Sequence, residues 1–335
     1  MISILGTGLL GAGLLAAALV GPASAGCCGG EVWDPTAFLN SDVPLVGTSQ
    51  AGEGSPSAAS RPPAAEPEYR SDSFPEGSML KSLTSVSSSE LVVDCSYPGQ
   101  GETIKGSVSL SVESLLAPDG TLRPLPELEE VLGDSGIARE DRVVVYGQPG
   151  QAALALWAMS YLGQEQVKLL DGSLKEWKEA GLPVDSMPAS RPGVNYTSRP
   201  ASDLLANYDY VLSGEAQLLD ARSFQEFAAG RIPGASNFDM QQVVEGGRIR
   251  DRAPLEEAFS GLSTDRPVVV YSDDLGDASL LWCALELMGY DARTYSWQDW
   301  QAHSSTGENM AGNDNSSPVE GAASDQSSRF KRLGR

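Results

Sequence analysis

A strand-like run occurs twice in this chain, as Arg142-Val143-Val144-Val145-Tyr146 and as Pro267-Val268-Val269-Val270-Tyr271. Any fold must accommodate both copies. Runs of β-branched residues without in/out alternation read as parallel strands buried on both faces. Each run leads through a short Gly-containing loop into a helix, Gln151 to Leu162 and Asp277 to Met288, the second expected to be amphipathic. Each helix stops at a glycine, Gly163 or Gly289, where a left-handed C-terminal position suits that residue. A second short strand follows, Val167 to Leu170 or Ala292 to Tyr295, and Trp177 and Trp300 take matching places in the closing segments. The front halves also correspond: Leu91-Val92-Val93-Asp94 matches Gln217-Leu218-Leu219-Asp220, with Asp94 and Asp220 126 residues apart, the same spacing as Gly163 and Gly289. A period this long marks a duplicated domain, since solenoid units run to about 20–50 residues. Strands alternating with helices across short connections imply a parallel sheet covered on both faces.

The 335 residues divide accordingly. Residues 1–25 hold an uncharged apolar run, Ile2 to Val20, expected to be a signal peptide or membrane anchor. Three routes stay open for it. Ala23-Ser24-Ala25 suits cleavage before Gly26, the run is almost long enough to be retained as a span, and Ser24-Ala25-Gly26-Cys27 resembles a lipobox with Cys27 as the acylated residue. Residues 26–78 and 306–335 are rich in Pro, Gly and Ser without apolar periodicity, and read as a disordered linker and tail. The two copies occupy 79–190 and 200–305. The expected location is extracytoplasmic, whether secreted, periplasmic or membrane-anchored, with membrane association through the N-terminal segment.

A net charge of −22 argues against nucleic acid as a partner, because no basic stripe exists to displace condensed counterions. His303 is the only histidine, so a Ser–His or Cys–His pair or a multi-histidine zinc site has little to be built from, and neither a metal nor a cofactor is expected. The cysteines are Cys27, Cys28, Cys95 and Cys283, too few for a disulfide scaffold.

Leu219-Asp220-Ala221-Arg222, followed by Phe227-Ala228-Ala229-Gly230-Arg231-Ile232-Pro233-Gly234-Ala235, resembles the rhodanese signature, in which an Asp-x-Arg strand end precedes a Gly-His-Ile-Pro-Gly-Ala turn; here Arg231 replaces the His. Asp94-Cys95-Ser96 and Ile104-Lys105-Gly106 form a worn first copy. Leu170-Asp171-Gly172-Ser173-Leu174-Lys175-Glu176-Trp177 is similar to the family's closing Leu-Asp-Gly-Gly-x-x-x-Trp. The resemblance covers about residues 85–304, in tandem as in thiosulfate and mercaptopyruvate sulfurtransferases. It implies an α/β fold of two rhodanese-like domains, each a parallel five-stranded sheet flanked by helices, with catalysis by a Cys on the loop after the Val-Val-Val-Tyr strand. A helix N-terminus there lowers the thiol pKa so that the thiolate carries a sulfane sulfur.

At the matching positions this chain has Gly147, with Gly150 in the same loop, and Ser272, followed by Asp273, Asp274 and Gly276. Both are degenerate active-site loops, since a hydroxyl is hardly ionised near neutral pH and carboxylates repel thiosulfate. Cys95, just past a strand end, is the candidate for a relocated nucleophile. Its alternative is a buried packing residue, as expected for Cys283. Arg222 and Arg231 are candidate anion contacts, or else structural partners of Glu226, Asp273 or Asp274. Trp157, Trp177, Trp282, Trp297 and Trp300 read as core anchors. Three functions follow: a silent rhodanese-like binding or scaffold protein for an unknown protein or a small sulfur-containing ligand, a sulfurtransferase working through Cys95, and a purely structural envelope component.

Overall fold

The computed structural model describes residues 69–97, 99 and 101–304. The apolar N-terminal run, Cys27, the linker before Tyr69 and the tail from residue 305 lie outside the described residues. No helix among the described residues is long and apolar enough to cross a membrane.

The first half runs β1 (Leu80–Ser82), β2 (Leu91–Asp94), β3 (Thr103–Ile104), β4 (Val108–Ser109), α1 (Leu125–Asp134), β5 (Arg142–Tyr146), α2 (Pro149–Tyr161), β6 (Gln166–Asp171), α3 (Leu174–Glu179) and β7 (Val184–Asp185). The second runs α4 (Tyr208–Leu212), β8 (Gln217–Asp220), α5 (Phe224–Ala229), β9 (Ser236–Asn237), β10 (Val244–Glu245), β11 (Arg248–Ile249), α6 (Arg252–Ala258), β12 (Val268–Ser272), α7 (Leu275–Leu287) and β13 (Ala292–Ser296).

The repeated valine runs are the inner strands of two parallel sheets, ordered β1-β6-β5-β2-β4 and β13-β12-β8-β9. Registers agree at the site-bearing edge: Asp94 lies opposite Tyr146 and Asp220 opposite Tyr271. Gly147 and Ser272 therefore occupy equivalent places at the carboxyl ends of the strands.

The second sheet has four strands where five were expected. At the place of β1 it keeps one parallel bridge, Leu205 to Thr294, with the Ala206 N–H bonded to the Thr294 carbonyl at 2.9 Å. A 3-10 turn over Ser202–Leu204 precedes the bridge and Asn207 caps α4 directly after it, so no length remains for a strand.

Helices α2 and α7 are not amphipathic. Ala152 to Met159 and Ala278 to Leu285 are buried on every side, because each helix lies between its own sheet and the other helix. Gly150 faces Gly276 at this contact; a Cβ on Gly276 would stand 3.5 Å from the Gly150 carbonyl oxygen. Both helices end as their glycines predict. Gly163 and Gly289 take φ +78° and +83°, and the following N–H groups of Gln164 and Tyr290 close onto Met159 and Leu285.

The linker is shorter than its composition implies, because residues 70–79 carry two 3-10 turns and belong to the folded body. Arg70 is the reason. Its guanidinium pairs with Asp171 and Asp251, and donates to the carbonyls of Ile249 and, at 2.6 Å, Arg250. Phe74 beside it is only 6% exposed. One side chain thus ties the chain's entry to β6 in the first half and to the β11–α6 junction in the second.

Asp171 has little exposure of its own, so removing Arg70 leaves a nearly buried carboxylate unpaired. Arg70→Ala should lower the unfolding free energy in urea by about 3 kcal/mol. Arg70→Lys should recover less than half of that, since a point charge cannot serve four acceptors. A loss within experimental error of zero would show that this contact is not an anchor.

Candidate functional site

In the second half, Ser272 ends β12 and is 4% exposed. Its Oγ accepts the Asp274 N–H at 3.1 Å and lies 3.5 Å from Asp273 Oδ1. Asp274 is the N-cap of α7, its Oδ1 accepting the Gly276 N–H at 2.7 Å. The helix N-terminus, the natural place for an external anion, is already served by this carboxylate. Asp277 sits in the first turn, and burial together with the charges of Asp274, Asp273 and Glu226 pushes its carboxyl up to about 6.

Arg222 does not use the expected partners. It bonds Asp220 through both carboxylate oxygens, at 2.9 and 2.6 Å, and the Gly230 carbonyl at 2.7 Å. Its guanidinium also lies 3.7 Å from the ring centroid of Trp297. The i, i+2 spacing at a strand end folds the side chain back onto its own aspartate, and the stacked indole holds it there. Glu226 instead caps α5 through Ser223. Arg231 is exposed and stacks on Phe227 at 4.8 Å.

In the first half, Gly147 has φ +156°, and a Cβ there would come within 3.0 Å of the Cys95 carbonyl carbon and 3.1 Å of the Ser96 nitrogen. A side chain at this position is strained, and Cys95 and Ser96 would have to give by a few tenths of an ångström to admit it. The first-half loop is shorter than the second, since α2 begins at Pro149, and Asp171 across from it is held by Arg70.

Cys95 faces the core rather than the cleft. It is 1% exposed, and burial first, then the adjacent Asp94, raises its thiol far above the ordinary range. A relocated nucleophile needs an accessible, electropositive setting, and Cys95 has neither. Cys283 is buried as expected, its thiol pushed up to about 12.

The structure brings Ser272, Asp273 and the ends of β12 and β13 together around a cavity of about 570 Å³. Its far wall was not legible as a site: the turn Asp119-Gly120-Thr121-Leu122, contributed by the first half. Gln298 holds the two sides together, its Nε2 donating to the Asp273 carbonyl at 3.0 Å and lying 3.4 Å from that of Asp119. Trp157 is also among the residues around the cavity, although as a large aromatic it was expected only as a core anchor. A second cleft of about 520 Å³ lies over Asp94, Ser96 and Gly147. Among the described residues, no group of three or more His, Cys, Asp or Glu is arranged to hold a metal ion.

The rhodanese-like domain model matches residues 79–180 and again 203–303. The thiosulfate sulfurtransferase of Corynebacterium glutamicum is 31% identical, the match covering 55% of this chain and 72% of that protein. The sulfur carrier protein TtuD of Thermus thermophilus is 30% identical over 52% of this chain and 73% of its own. Among solved structures, the 3-mercaptopyruvate sulfurtransferase SseA of Escherichia coli superposes with a TM-score of 0.59 at 22% identity, covering 65% of this chain and 98% of that one, a likeness of fold.

The carboxyl groups set a pH dependence of stability. Asp277 at about 6 and Glu286 at about 7 are raised mainly by burial, so each favours folding while protonated; that contribution is complete below about pH 4 and is lost as pH rises through 6 to 7. Glu226, lowered by the Ser223 hydroxyl, and Asp251, lowered by Arg70, contribute in the opposite sense and lose stability on acidification. The thermal midpoint should peak near pH 5 and fall toward pH 8, and Asp277→Asn with Glu286→Gln should flatten the alkaline limb, as read by calorimetry across that range. An alkaline limb unchanged in the double variant would refute the assignment.

Proposed function

This chain belongs to the rhodanese-like domain family, and we propose that it uses the inter-domain cavity beside Ser272 to bind a ligand rather than to pass sulfur through a persulfide. One observation carries the reading. The two strand-end positions where the family resemblance puts the cysteine hold Gly147, whose φ of +156° and tight approach to Cys95 and Ser96 disfavour a side chain, and Ser272, whose neighbour Asp274 already occupies the helix N-terminus. A thiolate at position 272 would stand beside Asp273 and Asp274, whose charges raise its pKa and turn away thiosulfate.

The protein acts outside the cytoplasm in this reading, exported or tethered by its N-terminal segment. Support comes from the uncharged run Ile2 to Val20 and the Ala23-Ser24-Ala25-Gly26-Cys27 stretch that follows it. A second reading, in which sulfur transfer persists through Cys95, draws on the similarity to the thiosulfate sulfurtransferase of Corynebacterium glutamicum. It requires Cys95 to leave the core during turnover.

Purified full-length protein in the thiosulfate-to-cyanide assay should show no transfer above buffer, and intact mass after thiosulfate treatment should show no added sulfur. Transfer that disappears in Cys95→Ser would overturn the binding reading in favour of the second. As a check on the local field, Ser272→Cys should fold and react with iodoacetamide with an apparent thiol pKa above about 8.5, the ordinary cysteine value. Adding Asp273→Gly and Asp274→Gly should bring that pKa below the ordinary value by removing two charges and freeing the Gly276 N–H.

A further inference from the structure

The two halves keep the same aspartate and tyrosine at their strand ends, but not the same cation. In the second half Asp220 is wholly buried and is neutralised from within its own turn. The Arg222 N–H and Nε donate to its Oδ1 at 3.0 and 2.9 Å, and Nη2 donates to Oδ2 at 2.6 Å and to the Gly230 carbonyl at 2.7 Å. In the first half Ser96 stands in the place of Arg222. Its N–H closes the same turn on Asp94 Oδ1 at 2.9 Å, and no guanidinium follows.

The frame around the missing group is retained. The Ile104 N–H donates to the Tyr146 hydroxyl at 3.0 Å, as the Ile232 N–H does to that of Tyr271 at 3.2 Å. Two residues before each isoleucine, the Glu102 carbonyl takes the place of the Gly230 carbonyl. Asp94 is only 8% exposed, yet among the described residues it forms no ion pair. The hydroxyls of Tyr146 and Thr103 serve its Oδ2 at 2.6 and 2.8 Å, which leaves Oδ1 with the Ser96 N–H. A carboxylate so deeply buried is ordinarily paired with a cation. Asp94, Ser96, Glu102, Thr103 and Tyr146 all border the cleft of about 520 Å³, so the ground that Arg222 covers in one half faces open space in the other. Lys175, the cation on the wall of that cleft, has an 83% exposed side chain and lies 3.8 Å from Glu179, while Lys178 pairs with the Glu102 carboxylate.

We propose that the first-half cleft binds a guanidinium group, held by Asp94 Oδ1 and the Glu102 carbonyl as that of Arg222 is held by Asp220 and the Gly230 carbonyl, with its apolar stem against the exposed Tyr97 and Met187. A planar fork of N–H donors spans a carboxylate and a carbonyl at once, which the point charge of an ammonium does less well. The group belongs to a free guanidino compound or to an arginine side chain, the chain's own Arg329, Arg332 and Arg335 included. This site is separate from the cavity beside Ser272, and the inference does not depend on what that cavity binds.

Nα-acetyl-arginine amide is the probe, with the lysine analogue as its ammonium counterpart and the citrulline analogue as its uncharged isostere. Calorimetric titration of the full chain should show saturable binding of the arginine compound, the lysine compound at least about tenfold weaker, and no saturable binding of the citrulline compound. Ser96→Arg restores the second half's own solution, so it should abolish probe binding and raise the thermal midpoint by about 2–4 °C, whereas Ser96→Gln should leave the midpoint unchanged. Asp94→Asn should weaken the probe at least about tenfold; should that variant fail to fold, Ser96→Arg still carries the test. Arg329→Gln, Arg332→Gln and Arg335→Gln made together separate the sources: tighter probe binding identifies the chain's own arginines as occupants, and unchanged binding identifies an external guanidino compound. Equal affinity for the arginine and citrulline compounds, no saturable binding to either the parent chain or the triple variant, or a folded Ser96→Arg that neither blocks the probe nor raises the midpoint above that of Ser96→Gln would overturn the assignment.

Discussion

The packing of α2 against α7 is the contact on which the rest of the molecule depends. Each helix follows an inner strand of its own sheet, and Gly150 of one meets Gly276 of the other. With no side chain on either residue, the helices' first turns come together and the halves fuse into one core, running from Leu154 and Trp157 to Leu281 and Leu285. Because strand-end loops precede those first turns, the contact also fixes where the loops lie. The Asp119 turn is thereby carried over the end of β12, where Gln298 clamps it.

Charge has been rearranged around that frame. At a helix N-terminus beside a strand end, a family enzyme gathers backbone N–H groups toward an anion. Here the chain supplies the anion itself, as Asp274, and adds Asp273 and Asp277 nearby. The cations that could have offset them are committed elsewhere. Arg222 is locked between Asp220 and Trp297, Arg70 closes the corresponding corner of the first half, and Arg231 lies on Phe227.

The sheets and the strand-end loops answer to different constraints. The sheets keep the strand order and the Asp–Tyr register at both strand ends, because burial of the valine runs on two faces tolerates little else. Loop residues carry no such packing constraint and can change in sign or size while the scaffold stands. Family membership accordingly says much about architecture and less about what the cavity receives.

The sequence by itself determined the duplication, the parallel α/β layers, the helix ends at Gly163 and Gly289, and which residues, Gly147 and Ser272, follow the two Val-Val-Val-Tyr runs. These are local or periodic properties, written in β-branched runs, turn residues and residue identity at an aligned position. Tertiary structure decided what those patterns could not express. It showed that residues from Tyr69 onward join the folded body, because Arg70 finds partners about 100 and 180 residues away. It reduced the expected fifth strand of the second sheet to a single bridge, buried Cys95, and turned Arg222 onto Asp220. It also made one cavity from Asp119, Trp157 and Ser272, residues with no sequence pattern in common. Each of these outcomes depends on which groups compete for the same partner or space once the chain is compact, and that competition has no signature along the chain.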